Sequence, residues 1–272
     1  MARTPRQGVS ANTVKLLPLG SVTPAPILGY FRGRAAGVLQ RFFPDAESAR
    51  EVEAARRTFE RNTRNGLYSN TWFDGSIGLW VKLLAPMKVL ERPQRLLEIG
   101  SWEGRSTVFL LGYLPRGTVT AIDTWEGGVE HQRQPEVATL EGRFDHNIAA
   151  FRDRLVKRKG LSSVVLADLA REETECFDFI FIDGSHFADD VMIDAVLAWR
   201  LLQNGGIMVF DDYLWRLERY GWKKNPAQAV NLFLRLIDGE YALLHVGHQM
   251  AIRKRASLAR YLSLDASATA AV

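Results

Sequence analysis

The chain has 272 residues, 47% apolar and 24% charged, an ordinary globular composition that fits one large domain with additions. Its net charge of +4 comes from the N-terminus, where Arg3, Arg6, Lys15, Arg32, Arg34 and Arg41 precede the first acid, Asp45; the remainder is slightly acidic, which argues against nucleic acid as a partner of the core. One cysteine, Cys176, excludes an internal disulfide framework or a cysteine zinc cluster and points to a reducing, cytoplasmic setting; no apolar run approaches the ~20 residues of a membrane span, and no apolar secretory segment opens the chain.

Residues 1–25 are rich in Pro, Ser, Thr and Gly and are expected to lack regular structure. Ile27, Leu28, Phe31, Ala35, Val38, Leu39 and Phe42 recur at helical spacing among arginines, giving a basic amphipathic helix. The main expectation is that it packs on the core or on a second copy of the chain, as in a homo-oligomer. Contact of residues 27–43 with a membrane surface and an organelle transit peptide are the sharper alternatives. Asp45 is placed to cap a charged helix running to about Arg64, stopped by Asn65-Gly66. Tyr68, Trp72 and Phe73 come next, followed by a helical pattern through Leu79, Trp80, Leu83, Leu84 and Met87 in which Pro86 should kink or end the helix.

From Arg95 the pattern alternates strand and helix. Gln94–Ile99 is an apolar run of the buried parallel kind, followed by Gly100, Gly104 and a helix from Ser106. Thr118–Ile122 is a second strand, ending in Asp123, and residues 136–151 read as a helix. Ser163–Leu166 reads as a third strand, ending near Asp168, and Phe177–Ile182 as a fourth, ending at Asp183. A helix from Val191 stops at Asn204-Gly205-Gly206, and Ile207–Phe210 is a fifth strand ending at Asp211 and Asp212. Asn225-Pro226 opens another helix, Tyr241–Val246 and Gln249–Arg253 form a hairpin around Gly247, and residues 256–272 are an Ala- and Ser-rich tail. Repeated β–α units with a terminal hairpin give an α/β class: a doubly wound, mainly parallel sheet.

The strand–glycine–helix passage at Gly100 places bare backbone N–H groups and a helix N-terminus at a strand's carboxyl end, where open α/β sheets bind nucleotides. Its spacing, Gly-x-x-x-Gly-x-Ser, disfavours a dinucleotide phosphate cradle, and Glu98 suits a cationic or hydroxyl-bearing ligand. Glu98, Asp123, Asp168, Asp183, Asp211 and Asp212 all fall at expected strand ends, along one edge of such a sheet. Asp123 is suited to accept both hydroxyls of a ribose, and Asp168 to reach an adenine amino group. Asp183, Asp211 and Asp212 would crowd and repel in a dry cleft unless a divalent cation lay among them, and an all-oxygen set favours Mg²⁺ or Mn²⁺ over zinc. His186, three residues beyond Asp183, is placed to take a proton from a hydroxyl acidified by that metal. His131, His146, His245 and His248 lack such a setting and read as structural.

The residues Glu98-Ile-Gly-Ser-Trp-Glu-Gly-Arg-Ser106, Asp123, Phe179-Ile-Phe-Ile-Asp-Gly-Ser-His186, Trp199–Gly206 and Phe210-Asp-Asp-Tyr213 together resemble class I S-adenosylmethionine-dependent methyltransferases. The match is nearest to bacterial metal-dependent O-methyltransferases of the macrocin and antibiotic-sugar tailoring kind, and covers about residues 67 to 254. The resemblance implies a Rossmann-like, seven-stranded sheet with a reversed terminal hairpin. It implies that Glu98, Gly100, Ser101, Gly104 and Ser106 surround the methionine part of the cofactor and that Asp123 holds its ribose; Trp125 joins this expected cofactor set. It puts Asp183, Asp211 and Asp212 on the metal and His186 at the general base, with Trp102 and Glu103 departing from a plain glycine-rich loop.

The expected organisation is a basic arm with helices over residues 1–66, a methyltransferase domain over 67–255 and a flexible tail over 256–272. The expected reaction is Mg²⁺-dependent methylation of a hydroxyl on a small molecule such as a sugar, glycosylated metabolite or phenol. The alternatives are metal-independent N- or C-methylation and a non-catalytic cofactor-binding scaffold. Tyr68, Trp72, Phe73, Trp125, Tyr213 and Trp215 are the expected lining of the acceptor pocket.

Overall fold

A computed structural model describes residues 46–128, 135–213 and 225–258. The basic helix at 27–43, the capping role of Asp45, His131, Trp215 and most of the tail lie outside the described residues. Among the described residues, no helix is long and apolar enough to cross a membrane.

The described chain runs α1 (Ala46–Thr63), a 3₁₀ turn (Trp72–Ser76), α2 (Ile77–Lys88), β1 (Arg95–Ile99), α3 (Arg105–Tyr113) and β2 (Thr118–Asp123). It continues through α4 (Leu140–Asn147), flanked by 3₁₀ turns at Pro135–Thr139 and Ala149–Arg154, to β3 (Leu155–Lys159) and α5 (Ser162–Glu172). Then come β4 (Phe177–Ile182), α6 (Ala188–Leu201), β5 (Leu202–Phe210), α7 (Pro226–Leu236), β6 (Tyr241–Val246) and β7 (Met250–Lys254). The seven strands lie in the order β3-β2-β1-β4-β5-β7-β6. All pairs from β3 to β5 are parallel, and β7 is antiparallel to both its neighbours. This is the expected doubly wound sheet with a reversed hairpin.

Strand alternation divides the core in two. Leu97, Ile99, Ile180, Ile182, Met208 and Phe210 face α5, α6 and α7. Leu96, Val119, Phe179, Phe181, Ile207 and Val209 face α2, α3 and α4, where Trp80 packs edge-on against Phe179 and Phe181. β4 is buried at all six positions, as a central parallel strand covered on both faces must be. Helix α1 shares the second core through Phe59, whose ring lies 5.8 Å from Phe73 and 5.9 Å from Phe109.

Several local expectations are met. Asn225 caps α7, accepting from the Ala227 N–H at 3.0 Å, with Pro226 in the first turn. Pro86 sits in the last turn of α2, which ends two residues later at Lys88.

The third strand is a correction. Ser163–Leu166 is helical, the start of α5, and Leu166 and Leu169 bury one face of it. The edge strand is Leu155–Lys159, paired to β2. Its lysines hid it: Lys157 pairs with Asp145 and Glu141, and Lys159 with Glu141, so the charges lie along an exposed edge.

Lys254, at the end of β7, is 1% exposed. Its ammonium donates to the carbonyls of Trp199 (2.9 Å) and Leu202 (2.7 Å), which end α6, and pairs with Glu175 at 3.1 Å. A lysine so placed satisfies carbonyls that have no intrahelical partner.

Candidate active site

The parallel register sets the site. Ile99 lies opposite Ile182, and Ile182 opposite Phe210, so the residues that follow them come off three strands at one level. The Asp183 N–H donates to Ile99 O at 2.8 Å, that of Asp211 to Ile182 O at 2.9 Å, and that of Gly100 to Ile122 O at 2.8 Å. Gly100 has φ +83°, and a Cβ there would stand 2.0 Å from the Asp183 carbonyl oxygen. Only glycine lets the ends of β1 and β4 approach this closely. Above these ends lies a cavity of about 730 Å³.

Of the residues expected to act, Gly100, Asp123, Asp183, His186, Asp211 and Asp212 line this cavity. The carboxylates form two overlapping triads rather than a single group of three. Ligating atoms of Asp183, His186 and Asp212 lie within 4.8 Å of one another, and so do those of Asp211, Asp212 and His248. Asp212 is common to both: its Oδ2 is 2.6 Å from His186 Nε2 and its Oδ1 3.0 Å from His248 Nε2. Its backbone is left-handed, at φ +53°, with its N–H donated to Asp211 Oδ1 at 2.8 Å.

The charges respond accordingly. Burial, then Asp211, Asp212, Glu98 and Asp123, hold the Asp183 carboxyl well above its ordinary pKa. Burial and the neighbouring Asp212 push Asp211 up to about 6. For Asp212 burial alone would raise the pKa, but hydrogen bonds from His186 and His248 outweigh it and bring the group down to about 2. The hydrogen bond to Asp212 raises His248 above its usual value.

His248 was expected to be structural and is not remote from the acids. The antiparallel register that sets Phe210 opposite Met250, continued by two residues, puts Asp212 opposite His248. The turn carrying it is anchored by Gln249, whose Oε1 accepts from Trp80 Nε1 at 2.8 Å. The pairing of β5 with β7 was the signal that would have found it. His186 leaves β4 on the loop Asp183-Gly-Ser-His186, which Ser185 fixes: its hydroxyl donates to Asp190 at 2.7 Å and accepts from the Phe187 N–H at 3.1 Å.

Asp123 is already engaged. Its Oδ2 accepts from the N–H groups of Ser101 and Trp102, both at 2.8 Å, and its Oδ1 from that of Trp125 at 2.7 Å. Trp102 and Trp125 are left-handed, at φ +45° and +53°, so one carboxylate holds two strained residues in place. At most one of its four lone-pair positions is left for a ligand, not the two that a ribose diol would need.

Glu98, Ser101, Gly104, Ser106 and Trp125 do not line the cavity; they build the underside of the loop. Glu98 is fully buried, accepts from the Thr107 hydroxyl through Oε2, and is pushed up to about 7 by burial. Gly104, at φ +77°, precedes α3 and packs against Phe144 and Ile148. Trp125 is 4.8 Å from Phe144 in the core and donates from Nε1 to the Trp102 carbonyl. Asp168 is wrongly placed by the sequence: it lies on α5 rather than at a strand end, its side chain is 64% exposed, and it faces Arg171 at 3.7 Å.

Trp102 and Glu103 now have contacts. Glu103 is buried, pairs with Arg143 at 2.8 Å and accepts from the Ser69 N–H at 2.7 Å. Asn147 accepts from the Leu67 N–H at 2.6 Å and donates to the Glu103 carbonyl at 2.8 Å. Arg105 grips Asp74 through two bonds, of 2.6 and 2.8 Å. These clamps hold Trp72, 65% exposed, over the cavity mouth at 6.0 Å from the Trp102 ring. Of the expected acceptor aromatics within the described residues, Trp72 alone lines the cavity. Phe73 and Trp125 are core, Tyr68 lies under the Arg105 guanidinium, and the Tyr213 hydroxyl is buried against Asn231.

A family model described as a methyltransferase domain matches residues 97–213. No curated protein sequence matches the chain significantly. Among solved structures, the O-methyltransferase TomG from Streptomyces achromogenes, in complex with SAM, is 18% identical with a TM-score of 0.52, over 82% of this chain and 97% of that one. An O-methyltransferase from Bacillus cereus in complex with SAH is 20% identical with a TM-score of 0.50, over 84% and 100%. MycE methyltransferase of the mycinamycin biosynthetic pathway, in complex with Mg, SAH and Mycinamycin VI, is 17% identical with a TM-score of 0.50, over 75% of this chain. The chain spans 54% of the length of that MycE structure. The matched segment runs from the glycine loop to the paired aspartates, and on this sheet order the chain carries that methyltransferase-domain match within the fold of the O-methyltransferase structures it is similar to.

Proposed function

We propose that this enzyme methylates a hydroxyl of a small molecule and that it requires a divalent cation, Mg²⁺ or Mn²⁺. The reading rests on one observation: Asp183, Asp212 and His186 converge beside the Gly100 turn in a single cavity. The residues fit a cation. Asp183 and Asp211 are pushed toward the neutral form first by burial and then by neighbouring carboxylates, Asp211 and Asp212 for Asp183 and Asp212 for Asp211, and a cation among them would offset both. Asp183, Asp211 and Asp212 would hold it, and when bound it would lower the pKa of the acceptor hydroxyl.

The chain's own groups supply the rest. Nε2 of His186 donates to Asp212 here; with Asp212 engaged by a cation, that nitrogen would be released from this contact and is the atom that takes the hydroxyl proton. The Ser185 contacts fix the loop that carries that imidazole, so little reorganisation is needed. The Gly100 loop, closed by Asp123, holds the methyl donor, whose sulfonium supplies an electrophilic methyl group. Trp72 and Trp102 offer aromatic faces at the mouth, suited to a sugar ring or a phenol.

The test combines assay and binding. S-Adenosylhomocysteine formation is measured with a panel of sugars, glycosylated metabolites and phenols, with Mg²⁺ and with EDTA. Turnover should need the cation, and His186→Ala and Asp183→Asn should abolish it while leaving cofactor affinity nearly unchanged. Full activity in EDTA or in either variant would overturn the reading.

A further inference from the structure

Asp211 leaves β5 at the rim of the cavity, and β7 runs antiparallel beside it. With Phe210 opposite Met250, the next residues outward, Asp211 and Gln249, stand opposite each other. Side chains directly opposite on one face of an antiparallel pair lie within contact distance. Gln249 is buried, and so is Trp80 of α2, which packs against it. The Trp80 indole donates from Nε1 to Gln249 Oε1 at 2.8 Å.

That bond fixes which way the amide points. An indole N–H only donates, so the amide turns its oxygen to Trp80 and leaves its NH₂ to the other side. An NH₂ group only donates, and Asp211, across the strand pair, accepts a hydrogen bond from Gln249. The same carboxylate accepts from the Asp212 N–H through Oδ1 at 2.8 Å. Two donors, one from its own chain turn and one from the neighbouring strand, hold the Asp211 side chain in a single orientation. They leave it lone pairs to offer a ligand, on a residue that lines the cavity. A buried amide is costly unless both its ends are used, and a residue needed only for packing at this place would be apolar.

We propose that Gln249 is a positioning residue for the divalent cation: it holds the Asp211 carboxylate in its ligating orientation, and Trp80 in turn holds Gln249. The inference rests on the cation reading above. Groups that orient the ligands of a metal set its affinity, and the loss of one costs about 10- to 100-fold. Neither Trp80 nor Gln249 lines the cavity, so both act through Asp211 alone.

The experiment is titration of the full chain with Mn²⁺, the free ion read from its EPR signal, beside calorimetry with S-adenosylhomocysteine and urea unfolding. Gln249→Leu keeps the bulk and removes both hydrogen bonds. It should weaken Mn²⁺ binding by about tenfold or more and leave S-adenosylhomocysteine affinity unchanged. Trp80→Phe keeps an aromatic ring and frees the amide to turn. It should weaken Mn²⁺ binding less than Gln249→Leu does, and should add nothing in the Gln249→Leu background. If Gln249→Leu does not fold, Gln249→Met, with a more adaptable side chain, takes its place; if Trp80→Phe does not fold, the Gln249 variant decides. A Gln249 variant with a lower urea midpoint but wild-type Mn²⁺ affinity would overturn the proposal, since that is what a packing residue gives. Additive losses in the double variant would overturn the part played by Trp80. A wild type that takes up no Mn²⁺ would overturn the cation reading, and this inference with it.

Discussion

Replacing Asp194 with Asn should change the pH dependence of stability. This residue lies mid-helix in α6 at the cavity wall, 1% exposed, and neither of its carboxylate oxygens meets a hydrogen-bond donor in good geometry. Burial, with the nearby Asp190 charge adding to it, pushes the Asp194 carboxyl from 3.8 up to about 7. The folded-state pKa is therefore above the unfolded one. Below about pH 4 both states are protonated and the group has no pH-linked effect. Between pH 4 and 7 the unfolded chain ionises while the folded one keeps its proton, so wild-type stability falls as pH rises; above pH 7 the penalty is constant. At about 1.4 kcal/mol for each pH unit the ceiling is ~4 kcal/mol, and water entering through the cavity brings the expectation to about 1–3 kcal/mol. The variant lacks this term but carries a fixed cost for burying an amide, so the change in the difference with pH is diagnostic and its sign at one pH is not. Urea unfolding of both proteins at half-unit steps from pH 4 to 8 measures it, and the other titrating acids cancel in the subtraction. Parallel stability curves across that range would refute the claim that this carboxylate is buried without compensation.

Two further substitutions test the frame of the site. Gly100→Ala should cost more than ~3 kcal/mol, because its Cβ meets the Asp183 carbonyl at 2.0 Å in a backbone region that disfavours alanine; a urea midpoint equal to that of the wild type would show that the ends of β1 and β4 are not so close. Asp168→Ala should leave stability within ~0.5 kcal/mol and S-adenosylhomocysteine affinity unchanged, as expected of an exposed helix residue; a calorimetric loss of tenfold or more would return Asp168 to the cofactor site.

The parts of the sequence that declare themselves are those with a single physical meaning. Phe177–Ile182 is apolar at both parities around Asp178, so it is a central strand, and Asp183 at its end is bound to lie on the ligand edge. The same logic placed Gly100, Asp123, Asp211 and Asp212. Ser163–Leu166 carried two meanings: Val-Val-Leu suits a strand, and only the burial of Leu166 with Leu169 reveals a helix. Moving that segment moved Asp168 off the edge. His248 and Asp194 were hidden for another reason. Neither sits at a strand end, and each reaches the cavity through a packing relation between distant elements, β5 with β7 and α5 with α6, that local patterns do not encode. Asp123 shows a third case: its place was legible, but the loop N–H groups that occupy it were not.

The position of Lys254 bears on how the molecule is made. Synthesis releases α6 before the residue that closes its C-terminus, since the Trp199 carbonyl and the Lys254 ammonium are 55 residues apart. β6 also emerges ahead of β7, the one strand it pairs with, and β7 must then enter between β6 and β5. A nascent chain carrying everything through β6 therefore holds an open sheet edge at β5 and a helix end with bare carbonyls. β7 closes both at once, so this half of the protein is completed only when β7 has joined the sheet.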